Sequence, residues 1–372
     1  MDPLGLHRVD STPAAKLIAE DVERQGPITF SRYMEICLHH PEVGYYAGQA
    51  RGPGRDKDFI TSPELHPAFG ALICRHVEAI WKGMGQPDPF WFIEGGPGNG
   101  TLARDVLATA TAKYQQLAKR LRVVLIERNP TMEGRQRALL EPWAPKVTWM
   151  DADPVSWEAL GPGAVFANEL LDTFPAHRLV GGADGPRELY VDVAEERLVE
   201  VEGPLSDPAA LEQIQAGGGR LLPGALAEVS LEAPTWVPAA SRLLERGQII
   251  TIDYGEPANL LYSPRHPRGT LRCYRGQVMT EDPLDLPGVL DITCHIDLSA
   301  VTRAALAHGL SLEGTTQQGA FLKRLGLQDF IHRASNPAAA SAEQRAELAA
   351  LETMRNPEGL GSLAVLIFGK GS

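Results

Sequence analysis

The chain has 372 residues, 44% apolar and 22% charged, enough to bury a full core in two domains or in one large domain with an insertion. Its formal charge of −12 weighs against non-specific binding to nucleic acid or to an anionic membrane. Cys37, Cys74, Cys273 and Cys294 are widely spaced with no C-x-x-C pair, and no apolar run approaches the ~20 residues of a membrane span. With no signal-peptide or transit pattern at the N-terminus, a soluble cytoplasmic protein with reduced thiols is expected.

Ala14, Leu17, Ile18 and Val22 keep one apolar face, which predicts a helix over 13–25 stopped by Gly26. A second helix is expected over 31–39, ending before Pro41. His39 and His40 are neighbours, so they point apart on a helix, and without a carboxylate pair at ligand spacing they are not read as a metal site. Arg51 to Asp58 make a charged Gly/Pro-rich loop, expected to be mobile. At Thr61-Ser62-Pro63-Glu64 a helix is expected to start, with Ser62 as N-cap, Pro63 in the first position and an end near Trp81. That stretch is either a well-made helix start or, through Thr61, Ser62 and Glu64, a cofactor contact at free helix N–H groups.

The stretch Phe90 to Thr101 organises the chain. An apolar run closes on Glu94, four glycines follow within six positions, and a helical pattern begins, giving a strand, a tight turn and a helix. Gly96, Gly98 and Gly100 form G-x-G-x-G, whereas the dinucleotide fingerprint would want a small third residue where Thr101 stands. Leu102, Val106 and Ala110 carry a helix to about Leu117. A second strand, Arg122 to Glu127, ends in an acid placed to accept hydrogen bonds from ribose hydroxyls. After a helix over 130–140, a third strand over 146–150 ends at Asp151, within reach of an adenine amino group. The fourth strand, Ala164 to Ala167, leads into Asn168-Glu169-Leu170-Leu171-Asp172. Open α/β sheets bind ligands beyond the carboxyl ends of their strands, so Glu94, Glu127, Asp151, Asn168, Glu169 and Asp172 should face one crevice.

Residues 175–235 change character: short alternating runs at 177–180, 187–193 and 197–201 predict an antiparallel meander, followed by irregular structure, and together an inserted lid. A helix is expected over 238–246, stopped by Gly247, and a fifth strand over 248–255 carrying Asp253 and Tyr254. Short β-like runs follow at 269–275 and 291–297, where Thr293, His295 and Asp297 alternate onto one face. A hydrogen-bonded His295–Asp297 pair is expected there rather than a metal site. Helices over 299–309 and 340–354 and a buried strand over 363–368 complete the reading, with no internal repeat.

These residues leave three readings open: an S-adenosylmethionine methyltransferase, a nicotinamide oxidoreductase sharing Glu127 as ribose acid, and a non-catalytic binding or assembly protein. Thr101 and the absence of a Tyr-x-x-x-Lys pair weaken the second; no P-loop or G-x-S-x-G elbow is present.

Six motifs occur in order: Thr61 to Glu64, Glu94 to Leu102, Ala167 to Asp172, Ile252 to Gly255, Gly269 to Arg272 and Asp291 to Thr293. In this series the chain resembles the MidA-type methyltransferases over about residues 28–368. Gly95, where the family usually carries an aliphatic residue, and Asn99, where a basic or polar one is common, are modest departures. The resemblance implies an α/β class I (Rossmann-like) fold with a seven-stranded sheet, N-terminal helices and a β-rich lid. It also implies S-adenosyl-L-methionine as cofactor and, for the family's mitochondrial member, symmetric dimethylation of an arginine in a respiratory complex I subunit. The domain expectation is residues 1–88 completing the cofactor site, 89–174 with 236–372 as the core, and 175–235 as the lid.

Methyl transfer from a sulfonium is an in-line displacement, so the protein mainly aligns the partners and excludes water. An arginine acceptor is a cation and calls for carboxylates that grip it bidentately. Glu169 and Asp172, i and i+3 past the fourth strand, are the expected catalytic acids, with Asp253 beside them and Tyr254 and Arg272 expected to bind substrate. Their other reading is charge stabilisation of a helix N-terminus. The expected partners are a protein substrate such as a respiratory-complex subunit, or a small-molecule acceptor, and a second copy of the chain.

Overall fold

The computed structural model of the protein describes residues 7–47, 61–275, 278–280, 282–335 and 341–371. The expected loop from Arg51 to Asp58 lies outside them. Seven strands build the central sheet: β1 (Phe90–Gly95), β2 (Leu121–Ile126), β3 (Val147–Met150), β4 (Gly161–Asn168), β5 (Leu244–Asp253), β6 (Ser311–Gln317) and β7 (Ala364–Lys370). Their order is β6-β7-β5-β4-β1-β2-β3, parallel from β3 to β5, with β7 antiparallel to both β5 and β6. The chain runs outward through β1, β2 and β3 and then returns to lay β4 on the other side of β1. The switch point therefore falls between β1 and β4, where a doubly wound sheet opens its ligand crevice.

Burial on both faces explains why these strands read as continuous apolar runs. Phe92, Val123, Phe166, Ile250 and Val365 point into one core, packed by the helices Ala68–Gly83 and Thr101–Lys113. Their neighbours Ile93, Val124, Val165, Ile249 and Leu366 point into the other, against Ala233–Ser241 and Leu298–Ala307. Each such buried side chain contributes about 1.5–3 kcal/mol. β6 has no such pattern: it is a polar edge strand held by its ladder to β7, and for that reason it was not expected. The helices Gln318–Arg324 and Leu327–Ala334 were not expected either.

A second unit has its own core. Gly185–Ala194 pairs along one edge with Arg197–Gly203 and along the other with His177–Gly182 and Ile28–Thr29, while Leu226–Val229 extends the sheet beyond His177–Gly182. The helices Pro13–Gln25 and Phe30–His39 share a core with Val191, Leu198, Leu271, Cys273 and Ile292. The N-terminal segment thus divides: its first two helices join the inserted region, whereas Ala68–Gly83 packs on the central sheet. The 269–294 stretch, expected with the sheet, also joins the second unit.

Some local expectations are corrected. The N-cap is Thr61 rather than Ser62, and the helix is two pieces, Ser62–Leu65 and Ala68–Gly83. His66 precedes Pro67 and takes an extended conformation (φ −160°, ψ 139°), as the proline ring disfavours the helical one. The 217–235 stretch is not all irregular, since it holds the strand Leu226–Val229. The next helix is Ala233–Ser241 instead of 238–246: Pro234 takes the tolerated first turn, Pro238 lies inside, and Gly247 belongs to a bulge in β5.

Candidate active site

The glycine turn links β1 to the helix Thr101–Lys113. Gly96, Gly98 and Gly100 have φ of +62°, +52° and +82°, the left-handed region that glycine adopts at least cost. A Cβ on Gly96 would stand 2.8 Å from the Leu170 side chain, and one on Gly95 2.5 Å from the Trp236 ring. The family departure at Gly95 therefore has a packing reason: the Trp236 indole occupies the space of a side chain. Thr101, the residue that breaks the dinucleotide fingerprint, donates its hydroxyl to Glu64 Oε1 at 2.6 Å, and Asn99 Nδ2 lies 3.4 Å from the same oxygen. The short Ser62–Leu65 helix is thereby tied to the turn.

Three carboxylates and a glutamine frame this half of the crevice. Glu94 is 4% exposed and its Oε2 has no hydrogen-bond partner among the described residues. Burial drives its pKa well above the carboxylate range; the Ala103 N–H opposes the shift, and Asp105 and Glu64 add to it. Glu127 accepts from the Asn129 N–H on Oε1 and from Gln136 Nε2 on Oε2, both at 2.8 Å, and its pKa is raised by burial. Gln136 Nε2 also donates to the Gly98 carbonyl at 2.8 Å, while its Oε1 accepts from Trp149 Nε1 at 2.9 Å. Gln136, which carried no sequence signal, locks Glu127 to the glycine turn. Asp151 is exposed at the end of β3, its Oδ1 taking the Asp153 N–H at 2.7 Å.

The other half is an acid corner past β4 and β5. Asn168 donates to Glu169 Oε1 at 2.8 Å, and its own Oδ1 has no partner among the described residues. Glu169 has φ of +50°, strained for a residue with a Cβ, and its half-buried carboxylate also receives the Ser62 N–H. Burial pushes its pKa up to about 8, opposed by Asn168 and reinforced by Asp253. Ser62 Oγ itself is engaged by Gln318 Nε2 at 2.8 Å. Asp172, on the turn Leu171–Thr173, is buried with Oδ1 unpartnered; burial and then Asp253, Glu169 and Asp291 push its pKa well up. Asp253 is differently placed. Its Oδ2 accepts the N–H groups of Leu171 at 2.7 Å and Leu170 at 3.1 Å, and its Oδ1 accepts that of Tyr254 at 2.8 Å. Burial raises it to about 7 against those bonds. It braces the loop that carries Glu169 and Asp172.

Aromatic rings wall the corner. The Tyr254 hydroxyl is pushed up by burial and then by Glu169 and Asp172, so it stays neutral. Tyr46 donates to Asp291 Oδ1 at 2.8 Å and stacks with His39, whose Nε2 meets the Thr173 carbonyl at 3.1 Å. Asp291 is 2% exposed. It belongs to a motif quoted from the sequence, yet neither it nor Tyr46 carries a role there, because nothing local says that the two meet. Arg272 donates to the Leu271 carbonyl at 2.7 Å and bears electrostatically on Tyr274 and His295. The expected His295–Asp297 pair does not form. Asp297 caps the helix Leu298–Ala307 through the Ala300 N–H, while His295 stacks on Tyr254 with its Nδ1 unpartnered, and burial lowers its pKa to about 4. The break between the strands Asp291–Thr293 and Ile296–Asp297 removes the alternation that would have aligned the pair.

A doubly wound sheet with a left-handed glycine turn, an acid after β2 and a carboxylate corner beyond β4 is the Rossmann-like arrangement of a nucleoside-cofactor protein. The chain belongs to the S-adenosyl-L-methionine-dependent methyltransferase family whose profile matches residues 72–316. It is 31% identical over 336 residues to the protein arginine methyltransferase NDUFAF7 homolog, mitochondrial, of Drosophila melanogaster, covering 84% of this chain and 74% of that protein. To the mouse protein arginine methyltransferase NDUFAF7, mitochondrial, it is 29% identical, covering 94% of this chain and 82% of the relative. A crystal structure from Burkholderia thailandensis bound to S-adenosyl-homocysteine superposes with a TM-score of 0.85 at 30% identity, covering 96% of this chain and 92% of that one. The protein is an S-adenosylmethionine-dependent methyltransferase.

The residues fit that cofactor on their own terms. Gly96, Gly98 and Gly100 add no side chain of their own to the turn, and Glu94 Oε2 and Asn168 Oδ1 are buried acceptors without a donor among the described residues, on either side of the switch point. The curated relatives are named as mitochondrial, which overturns the expected cytoplasmic placement. Four buried free cysteines act here as small apolar residues of the core and carry no information on compartment. No helix among the described residues is long and apolar enough to cross a membrane.

Proposed function

We propose that the acceptor is the guanidinium of a protein arginine, held in the acid corner by Glu169 and Asp172. The observation that carries this is the Asp172 carboxylate, buried with an Oδ1 unpartnered among the described residues and with three further carboxylates, Asp253, Glu169 and Asp291, as its strongest electrostatic neighbours there. Such a cluster is costly to ionise without a cation and favours one that presents several N–H groups in a plane. The relatives named as protein arginine methyltransferases support the same reading.

S-adenosylmethionine supplies an electrophilic methyl group on a sulfonium. On this reading Gly96, Gly98 and Gly100 admit its methionine part to the backbone, with Glu94 at the ammonium and Glu127 at the ribose. Thr61, Ser62 and Glu64 close the turn from the side, and Asn168 borders both halves. Asp151, exposed and turned to its own loop, is the weakest of the proposed contacts. Glu169 and Asp172 orient the guanidinium, and Asp253 holds their loop. Transfer to a guanidinium nitrogen releases one proton, and Glu169, raised to about 8, is suited to hold it near neutral pH. Tyr254 and Tyr46 exclude water, Arg272 lies at the rim, and the second unit serves as the lid.

The test is transfer of labelled methyl from S-adenosylmethionine into lysate from cells lacking this gene, read as methylated residues after hydrolysis. Label in arginine that falls about 100-fold (about 2.7 kcal/mol) in Glu169→Gln, with S-adenosyl-homocysteine affinity kept, is expected. Label only in lysine or in small molecules would overturn the arginine reading.

A further inference from the structure

We propose that a groove between residues 220–226 and 262–267 holds the substrate chain beside the modified arginine, taking an apolar side chain in its cavity and an acidic one at Arg220. This rests on the arginine reading above and names the kind of chain that carries the arginine. Two irregular segments form the walls. They are tied at both ends, by the Arg220 N–H donating to the Tyr262 carbonyl at 3.2 Å and the Leu226 N–H to the Pro267 carbonyl at 3.1 Å. Between the ties lies a cavity of about 250 Å3, lined by Leu222, Pro223, Pro264 and Pro267, with Arg220 and His266 also on its wall. That volume suits one or two side chains, since pockets for a whole small molecule run to about 300–1,000 Å3. The walls are packed from behind. Leu261 and Tyr262 are buried in a small core with Leu179 and Ala227. A Cβ on Gly181 would stand 2.0 Å from the Leu222 carbonyl, so this glycine lets the outer wall lie on the strand His177–Gly182. Leu222 itself is 41% exposed, an apolar residue left uncovered beside the cavity.

His295 joins the groove to the acid corner. The Cys294 N–H donates to the Asp172 carbonyl at 3.0 Å and the Ile296 N–H to the Tyr254 carbonyl at 2.8 Å, so the residue between them is pinned on both sides. Its ring stacks on Tyr254, 5.9 Å between centroids, and meets the His266 ring edge-on at 6.0 Å. His266, paired with Glu256 Oε2 at 3.0 Å, lines the cavity. Two ring contacts therefore separate the corner from the groove, a span of about three to five residues of extended chain at about 3.3 Å each. Charge selects the rest. The corner gathers Glu169, Asp172 and Asp253, whereas Arg220 is exposed and no carboxylate among the described residues pairs with it. A chain with its arginine in the corner and an acid at the groove satisfies both poles, while a basic residue at the groove meets a like charge.

Full-length protein loaded with S-adenosyl-homocysteine is titrated in a calorimeter with short Gly/Ser peptides that carry one arginine and, about four residues to either side of it, Leu-Asp or Leu-Lys. The Leu-Asp peptide of the fitting direction is expected to bind about tenfold more tightly than its Leu-Lys counterpart. Arg220→Glu should reverse that preference, which loss of folding would not do. Leu222→Asp should weaken the Leu-Asp peptide about tenfold, with S-adenosyl-homocysteine affinity and melting temperature as in the wild type. A wild type that binds neither peptide, or both alike, overturns this inference, and the arginine reading then stands or falls by the labelled-methyl test. If the Leu-Asp preference persists and replacing the peptide's arginine by glycine costs no affinity, the groove binds a chain and it is the arginine reading that fails. A dimer of the free protein in sedimentation that Leu222→Asp dissociates would put a second copy in the groove and overturn the proposal.

Discussion

The two halves of the site are built in opposite ways. The half assigned above to the cofactor is local: Glu94, the three glycines, Thr101, Glu127 and Gln136 fall within one βαβα stretch, and the hydrogen bonds described for them leave it only at Glu64 and Trp149. The acceptor half is scattered. Tyr46, Glu169 with Asp172, Asp253 and Asp291 lie on four segments, brought to one corner by the packing of two cores. A local site can be disabled by one change in backbone freedom, whereas a scattered one is a matter of charge and is best disturbed through protons.

The largest effect should come from Gly96→Val. A β-branched residue at φ +62° is strained, and its Cβ would meet Leu170, so S-adenosyl-homocysteine binding measured by calorimetry should fall about 100-fold or more. Retained binding would mean that the turn does not hold the cofactor. The acceptor half should respond to pH instead. Asp253 and Glu169 are raised to about 7 and about 8, so both take up protons as pH falls and the corner loses the charge that grips a cation. kcat/KM should therefore rise with pH and level off above about 8, while cofactor affinity changes little. The same shifts act on stability with the opposite benefit. These acids bind protons more tightly folded than unfolded, so the free protein should lose thermal stability as pH rises from about 4 to about 8. A profile falling with pH in kcat/KM would exclude a carboxylate grip. The smallest effect joins the halves: Gln136→Leu removes the donor shared by Glu127 and Gly98 and should weaken S-adenosyl-homocysteine about tenfold, with acceptor KM unchanged.

Much of the cofactor half could be read from the residues. The strand ending in Glu94, the glycine spacing and the acid after β2 are short-range patterns set by the periods of strand and helix. What stayed hidden there was Gln136, a polar residue on a helix of weak pattern, and the reason for Gly95, which only the Trp236 ring supplies. In the acceptor half Glu169 and Asp172 were legible as a strand-end pair. The bracing by Asp253 was not, because it depends on where β5 ends relative to the loop after β4. The His295–Asp297 pair failed for a related reason: alternation was assumed to continue through 294–295, where the strand breaks.

By itself, then, the sequence determined the doubly wound sheet, its glycine turn and its row of strand-end acids. Buried strands need continuous apolar runs, and a turn that admits a ligand needs glycine. Tertiary structure alone decided that the N-terminal helices join the inserted sheet, that Tyr46 meets Asp291, and that Asp253 holds the loop of Glu169 and Asp172. These arrangements arise from packing two cores, which leaves no period in the chain.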